Sequence, residues 1–416
     1  MNNGAVTADA SRTALILSFD TPSPVDYGGI YDVISRAQAL AHQGYVVDYV
    51  GVTLDEERLR KWQNERESPN SLFRRVYVLR GKTAIRYVAA LTPMSALRRD
   101  VRLPDDVQSY LAAQRYDVIL IDHIKMVAFA QRIVRHLQGN IRLRMHNDEA
   151  QYYASLARRE RNWLRATILW LESIKYRRYQ KRIMTNRMVD RVYYISREDQ
   201  ARLSSCDARP GVVLPVVPDI KKVAESRTPF CQRIIDFIYV GNLEIGENLE
   251  GVKSAFEFLQ ANKIPVKTAL VCGRCKAIAR QKAVLKELRI FPFCDARFNV
   301  PQAELGGLYL HSKFFLNFSF GTGGVKTKLI DALVQGIVVI TNEYGMRGSG
   351  LEGACIIASK AKIPIISAAL TDQVEYERLR AVSIQALGKY AKQTRLVYES
   401  EFGARGAGGI WYGHDR

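Results

Sequence analysis

The residues most able to do chemistry lie in FGTGGVKTKLIDALVQGIVVIT, residues 320–341. An apolar strand is expected to end at Ser319, a glycine loop to follow, and a helix to begin near Lys326. Glycines at 321, 323 and 324 allow the backbone to approach an anion closely. A helix start adds unpaired N–H groups and the positive end of the dipole, which suits phosphate. Lys326 and Lys328 fall in the first turn, where positive charge opposes that dipole. Two such lysines are easier to understand if an anion sits there. A solvated loop is the plain alternative.

Other chemical groups stand where strands meet loops. Gly28 and Gly29 in SPVDYGG end a Pro/Gly loop where a helix starts. His146 in LRMHNDEAQYY ends a strand, and Asn147 and Glu149 after it fit an N-cap and a first-turn acid equally well. His123 in LIDH is a second histidine of that kind. Cys272 and Cys275 form a lone C-x-x-C with no second pair and no nearby histidine, so a strand-end turn is expected there and not a zinc or redox site. No D-x-D pair occurs, so a metal-held diphosphate is not expected and lysines with a helix dipole must hold the charge instead.

The elements that must position these groups alternate in type. TALILSF, a Pro/Gly loop, IYDVISRAQALAHQG and YVVDYVGV read as strand, loop, helix and strand, a βαβ unit. Strands at VYVLR, YDVILID, IRLRMH and VDRVYYIS follow, with helical patterns between them. After the proline-punctuated stretch LPVVPDIKKVAESRTP a second set begins with DFIYVGN and runs through VKTALVCG, ARFNV, KFFLNFS and GIVVITN. The expected fold is α/β, two Rossmann-like doubly wound parallel-sheet domains facing across a cleft. Residues 1–217 would form one, 218–375 the other, and 376–416 a C-terminal helix with a glycine-rich tail. Ligands bind such sheets outside the carboxyl ends of the strands.

Length and composition agree with this division, since 416 residues exceed one ordinary core. No apolar run reaches the ~18 residues that cross a bilayer, and the N-terminal stretch lacks a signal pattern. The net charge of +19 is uneven: residues 157–191 hold 11 basic and 3 acidic residues. Trp163, Trp170 and Ile174 share a helical face there, with Arg177, Arg178, Lys181 and Arg182 nearby. A basic helix with tryptophans reads as an element lying on an anionic membrane, or as a helix packed on its own domain with a solvated basic face.

Taken in order, these segments resemble family 4 of the retaining glycosyltransferases, whose fold is called GT-B. The resemblance rests on SPVDYGG, YDVILIDH, LRMHNDEAQYY, DFIYVGNLEIGENLEG, GTGGVKTKL and YGMRGSGL, and runs from about residue 14 to about residue 360. It implies a nucleotide-sugar donor and a glycan or lipid-linked acceptor, with no cofactor and no metal. It further implies a role in bacterial surface polysaccharide synthesis from the cytoplasmic face of a membrane. His146 would be the active-site histidine beside the donor sugar, and retention needs no enzyme nucleophile. Lys328 would hold phosphate, with Gly28 and Gly29 beside the diphosphate and Gly241 at the first strand end of the donor half. Asp331 stands where the family has a glutamate for the ribose, and Gly323 where a partner glutamate is usual. Gly323, Gly324 and Val325 would then act through their backbone. Asn242 replaces a phosphate-binding arginine, whose charge Lys326 or Arg274 would supply. A nucleotide-sugar epimerase would need cleft acids and histidines that the sequence does not place. A nucleic-acid-binding protein would explain the charge but not the glycine loop, and no nucleic-acid module is legible.

Overall fold

The computed structural model describes residues 12–403 except 26, 65–71, 84–87, 161, 205–210, 220–222, 224–227 and 322–323. Gly323 and all but the first residue of the glycine-rich tail lie outside the described residues. The first sheet holds β1 (Arg12–Ser18), β2 (Tyr45–Thr53), β3 (Arg75–Arg80), β4 (Arg115–Asp122), β5 (Gln138–Met145), β6 (Arg191–Tyr194) and β7 (Val212–Val213). Its order is β3-β2-β1-β4-β5-β6-β7, and every neighbouring pair is parallel. The second holds β8 (Ile235–Asn242), β9 (Ala269–Arg274), β10 (Cys294–Phe298), β11 (Ser312–Asn317), β12 (Val338–Thr341) and β13 (Cys355–Ile357). It is parallel throughout, in the order β10-β9-β8-β11-β12-β13.

Parallel neighbours need crossovers, and crossover helices cover both faces, so the strands read as apolar runs. Ala14, Leu15, Ile16 and Leu17 of β1 are all fully buried. In the second sheet Phe237, Val271, Phe314 and Leu316 enter one core, while Ile238, Leu270, Phe315 and Val339 enter the core on the other face. Each order reverses once, between β1 and β4 and between β8 and β11. Connections leave in opposite directions at those points, which opens a crevice at the carboxyl ends of the strands.

Several boundaries differ from the sequence expectation by a few residues, the end of β11 and both ends of the last helix among them. β11 ends at Asn317, because the Asn342 side chain binds both the N–H and the C=O of Ser319 (3.1 and 2.7 Å) and takes that residue out of the ladder. The last helix, expected over 374–396, runs from Gln373 to Phe402. It crosses between the halves: Tyr376 packs in the second core, whereas Tyr398 and Phe402 pack in the first. Arg191 pairs with Glu401 at 2.6 Å, and Tyr390 donates to the Val216 carbonyl at 2.9 Å.

Candidate functional site

The two crevices face each other and touch at glycines. Gly28 opens the helix Gly28–His42, and a Cβ there would lie 1.7 Å from Thr327 Oγ1, at the start of the helix Thr327–Val334 of the other half. Gly324 has φ +64°, a conformation that favours glycine, and a Cβ on it would sit 1.9 Å from Asn147 Oδ1. Gly29 is different, since the rings of Phe19 and Tyr27 border it within its own half. Charged side chains also cross the gap. Arg159 reaches the Phe320 carbonyl (3.0 Å) and Glu250 (3.3 Å), and Lys276 reaches Glu57 (2.7 Å).

On the donor side, Lys326 occupies the N-cap position and Lys328 the first turn of its helix. Lys328 Nζ donates to the Tyr239 hydroxyl at 3.1 Å and lies 4.5 Å from that ring's centre. Enclosure first, and then the neighbouring Lys326, push Lys328 down to about 7. Such a lysine gains most from an arriving anion, which would restore its ordinary charge. Val325 and Gly324 lead into the same turn. Gly241 and Asn242 end β8, and Asn242 is the register partner of Arg274 at the end of β9. Asn242 Oδ1 accepts the Glu244 N–H at 3.0 Å and so shapes the next turn. Asp331 lies against Tyr309, whose phenol is pushed far up by burial and then by that carboxylate. It also lies near Tyr31 of the opposite half.

His146 directly follows β5 as expected, but its ring is turned toward its own domain. Nε2 donates to Asp122 Oδ1 at 2.5 Å, and Nδ1 lies 3.7 Å from Asp32 Oδ2. Two buried carboxylates thus surround the ring that the resemblance set beside the donor sugar. Asp32 and Asp122 are in turn bound by two buried guanidiniums. Arg36 reaches Asp32 at 3.0 Å and Asp122 at 2.8 Å, and Arg144 reaches Asp32 at 3.2 Å. Burial alone would raise the Asp122 carboxyl, but Arg36, His146 and Arg144 together hold it well below the usual range.

His123 stacks on His146 with ring centres 5.0 Å apart. Its Nδ1 accepts the Lys125 N–H (3.2 Å), and its Nε2 meets Glu149 (3.2 Å). Burial, followed by Lys125, lowers it to about 3, so it is neutral at physiological pH and packs as a support for His146. Glu149 is a first-turn acid as expected, whereas the N-cap is Asp148 and not Asn147. Glu149 is fully buried between His123 and Lys125, and Asp148 accepts from Gln151 N–H at 3.2 Å.

Among the described residues, the one group spaced like metal ligands is Asp32, Asp122 and His146. Arg36 and Arg144 already neutralise those carboxylates, so a divalent ion would meet two guanidiniums at contact distance, and the group does not fit one. Cys272 lies within β9 and Cys275 just after it, and all described cysteines are free thiols. Sequence reasoning missed Asp32, Arg36, Asp122, Arg144 and Glu247. The available signal was charge at positions otherwise patterned for burial, such as Arg144 between Leu143 and Met145 in a strand.

The basic segment forms the helix Trp163–Met184, paired with the helix Glu149–Arg159. Its second half packs through Tyr176, Tyr179, Ile183 and Met184, which leaves Arg177, Arg178, Lys181 and Arg182 exposed. Its first half exposes Trp163 (73%), Leu164, Ile168, Trp170 (55%) and Leu171. Ile174 is half-buried. No helix among the described residues is long and apolar enough to cross a membrane.

The chain matches no protein-family model. It is 22% identical over 349 residues to an uncharacterized 44.6 kDa protein in the cps region of Klebsiella pneumoniae, covering 81% of this chain and 84% of that one. Among solved structures, a mutant of S. aureus TarM in complex with fondaparinux, α-GlcNAc-glycerol and UDP superposes with a TM-score of 0.61 at 7% identity, covering 94% of this chain and 99% of that one. Sucrose-phosphate synthase from Thermosynechococcus elongatus gives 0.59 at 15% identity, again over 94% and 99%. The pneumococcal O-GlcNAc transferase GtfA, in complex with UDP and GlcNAc, gives 0.58 at 10% identity over the same shares. Two wholly parallel α/β sheets with facing crevices, in the arrangement of these proteins, give this chain the GT-B fold.

Proposed function

We propose that this protein is a glycosyltransferase that moves a sugar from a nucleoside-diphosphate sugar to a lipid-linked or membrane-proximal glycan. It would act with retention, without metal or cofactor, at the cytoplasmic face of a membrane. The observation that carries this reading is Lys328 at the crevice of one half, with Gly324 of its loop in contact with Asn147 beside His146 of the other. A donor bound there would have its diphosphate over a helix start and its sugar toward the His146 side. Backbone amides of the loop and Lys328 would stabilise charge on the departing diphosphate, and preorganised donors of this kind contribute strongly to rate. Fold neighbours crystallised with UDP support a nucleoside-diphosphate partner, and the cps-region relative supports polysaccharide synthesis.

The test is a donor screen with UDP- and GDP-sugars scored by released nucleotide. Release should persist in EDTA, and Lys328→Ala should weaken donor binding by ~1–3 kcal/mol, the loss of a charge-assisted contact. Loss of release in EDTA, restored by Mg²⁺, would overturn the metal-free reading. An unchanged donor affinity in folded Lys328→Ala protein would overturn the loop assignment.

The helix Trp163–Met184 supports membrane docking in this reading. Its exposed tryptophans and leucines stand next to exposed arginines, near the Arg159 contact that borders the cleft. Each basic residue near an anionic surface contributes about 1 kcal/mol, and buried apolar side chains add to that. The protein should pellet with phosphatidylserine vesicles at low salt and release as salt screens the charge. A variant with Arg177, Arg178, Lys181 and Arg182 changed to glutamine should stay in solution. Equal pelleting of both proteins would leave the patch a solvated helix face.

A further inference from the structure

The glycine loop assigned to a phosphate already holds an anion, the carboxylate of Glu247. Glu247 begins the helix Gly246–Ala261 in the same half, and its side chain is 13% exposed. Its Oε1 accepts the Gly321 N–H at 2.6 Å and the Ser319 hydroxyl at 2.7 Å, and lies 3.7 Å from Lys326 Nζ. A Cβ at position 321 would fall 2.4 Å from that oxygen, so the glycine is what admits the carboxylate. Backbone amide, hydroxyl and ammonium around one oxygen form the kind of cradle that binds a phosphate oxygen. Burial would raise the Glu247 carboxyl, yet Lys326, Ser319 and Gly321 hold it below the ordinary range, so it is charged at neutral pH.

We propose that Glu247 is an internal occupant of the phosphate cradle, which the donor must displace, and that this competition selects for nucleoside diphosphates. A diphosphate brings several negative oxygens and can recover the contacts of Gly321, Ser319 and Lys326 while adding Lys328. A nucleoside monophosphate brings one phosphate fewer and less negative charge, so it recovers fewer of these contacts and gains less. The displaced carboxylate then swings toward solvent on the first turn of its helix. This inference rests on the donor reading above, and its test separates the two.

Calorimetric titration with UDP, GDP and UMP decides it, using wild type, Glu247→Gln, Glu247→Ala and Lys328→Ala. Both Glu247 variants should bind UDP or GDP roughly tenfold or more tightly than wild type, because a competing like charge is gone. The preference for diphosphate over UMP should narrow in them. Tighter binding that Lys328→Ala reverses supports both readings. Glu247 variants that bind with unchanged or weaker affinity, while Lys328→Ala still weakens binding, overturn the occupant and leave the donor site standing. Binding insensitive to Lys328, or none in any variant, overturns the donor site and the occupant with it.

Discussion

Replacing Arg36 with methionine is expected to lower unfolding stability by about 3–5 kcal/mol at pH 7, the cost of stripping one partner from a buried ion cluster. Arg36 is fully buried and serves two carboxylates, Asp32 and Asp122, that are themselves 1% and 0% exposed. Methionine keeps most of the volume, so the loss reports charge and not packing. Arg144 remains on Asp32 and His146 on Asp122, but neither replaces the two-acid bridge. Asp122 has a native carboxyl held below its unfolded value. Its contribution is therefore complete above the ordinary aspartate value of about 3.9 and fades as pH falls below it. The gap between variant and wild type should narrow in the same window. Urea unfolding at pH 7 and at stepped acid pH measures both effects. A loss under 1 kcal/mol at pH 7 would mean that the cluster relaxes or hydrates when opened.

The second large effect is on turnover. Exchanging His146 for alanine should reduce kcat by ~10²-fold while donor affinity changes much less, the pattern of a group that positions the reaction centre and not the donor as a whole. The argument is positional: His146 stands where the two crevices meet, its backbone carbonyl close to Gly324, and Asp122 fixes its ring through Nε2. Because the ring also belongs to the buried cluster, His146→Gln, which retains a donor for Asp122, serves as the folded comparison. Single-turnover and binding measurements on both variants separate chemistry from affinity. Full activity in folded His146→Ala protein would leave the histidine a structural member of the cluster. Activity lost in alanine but kept in glutamine would show that holding Asp122, and not imidazole chemistry, is what matters.

Much of the architecture was legible because parallel strands buried on both faces must be apolar and must be punctuated by loops. The stretches around β1, β4, β8 and β12 carry that pattern without interruption. The glycine loop was legible for a related reason, since glycines and lysines at a helix start follow local backbone rules that need no distant partner. The end of β11 was misplaced by two residues because Asn342, 23 positions away from Ser319, decides it.

What the sequence determined by itself is therefore local and periodic: two runs of alternating strand and helix, a phosphate-suited loop, and a basic helix carrying tryptophans. Tertiary structure alone decided which charges meet. Asp32, Arg36, Asp122 and Arg144 come from one helix and two strands, and only the sheet order brings β4 beside β5 under the helix after β1. It likewise turned His146 inward, set Gly28 against Thr327, and laid Glu247 in the cradle of Gly321. The physical reason is range. Hydrophobic burial and backbone propensity act along a few residues of chain and leave a period, whereas an ion pair or a glycine contact acts over a few ångströms of space and leaves none.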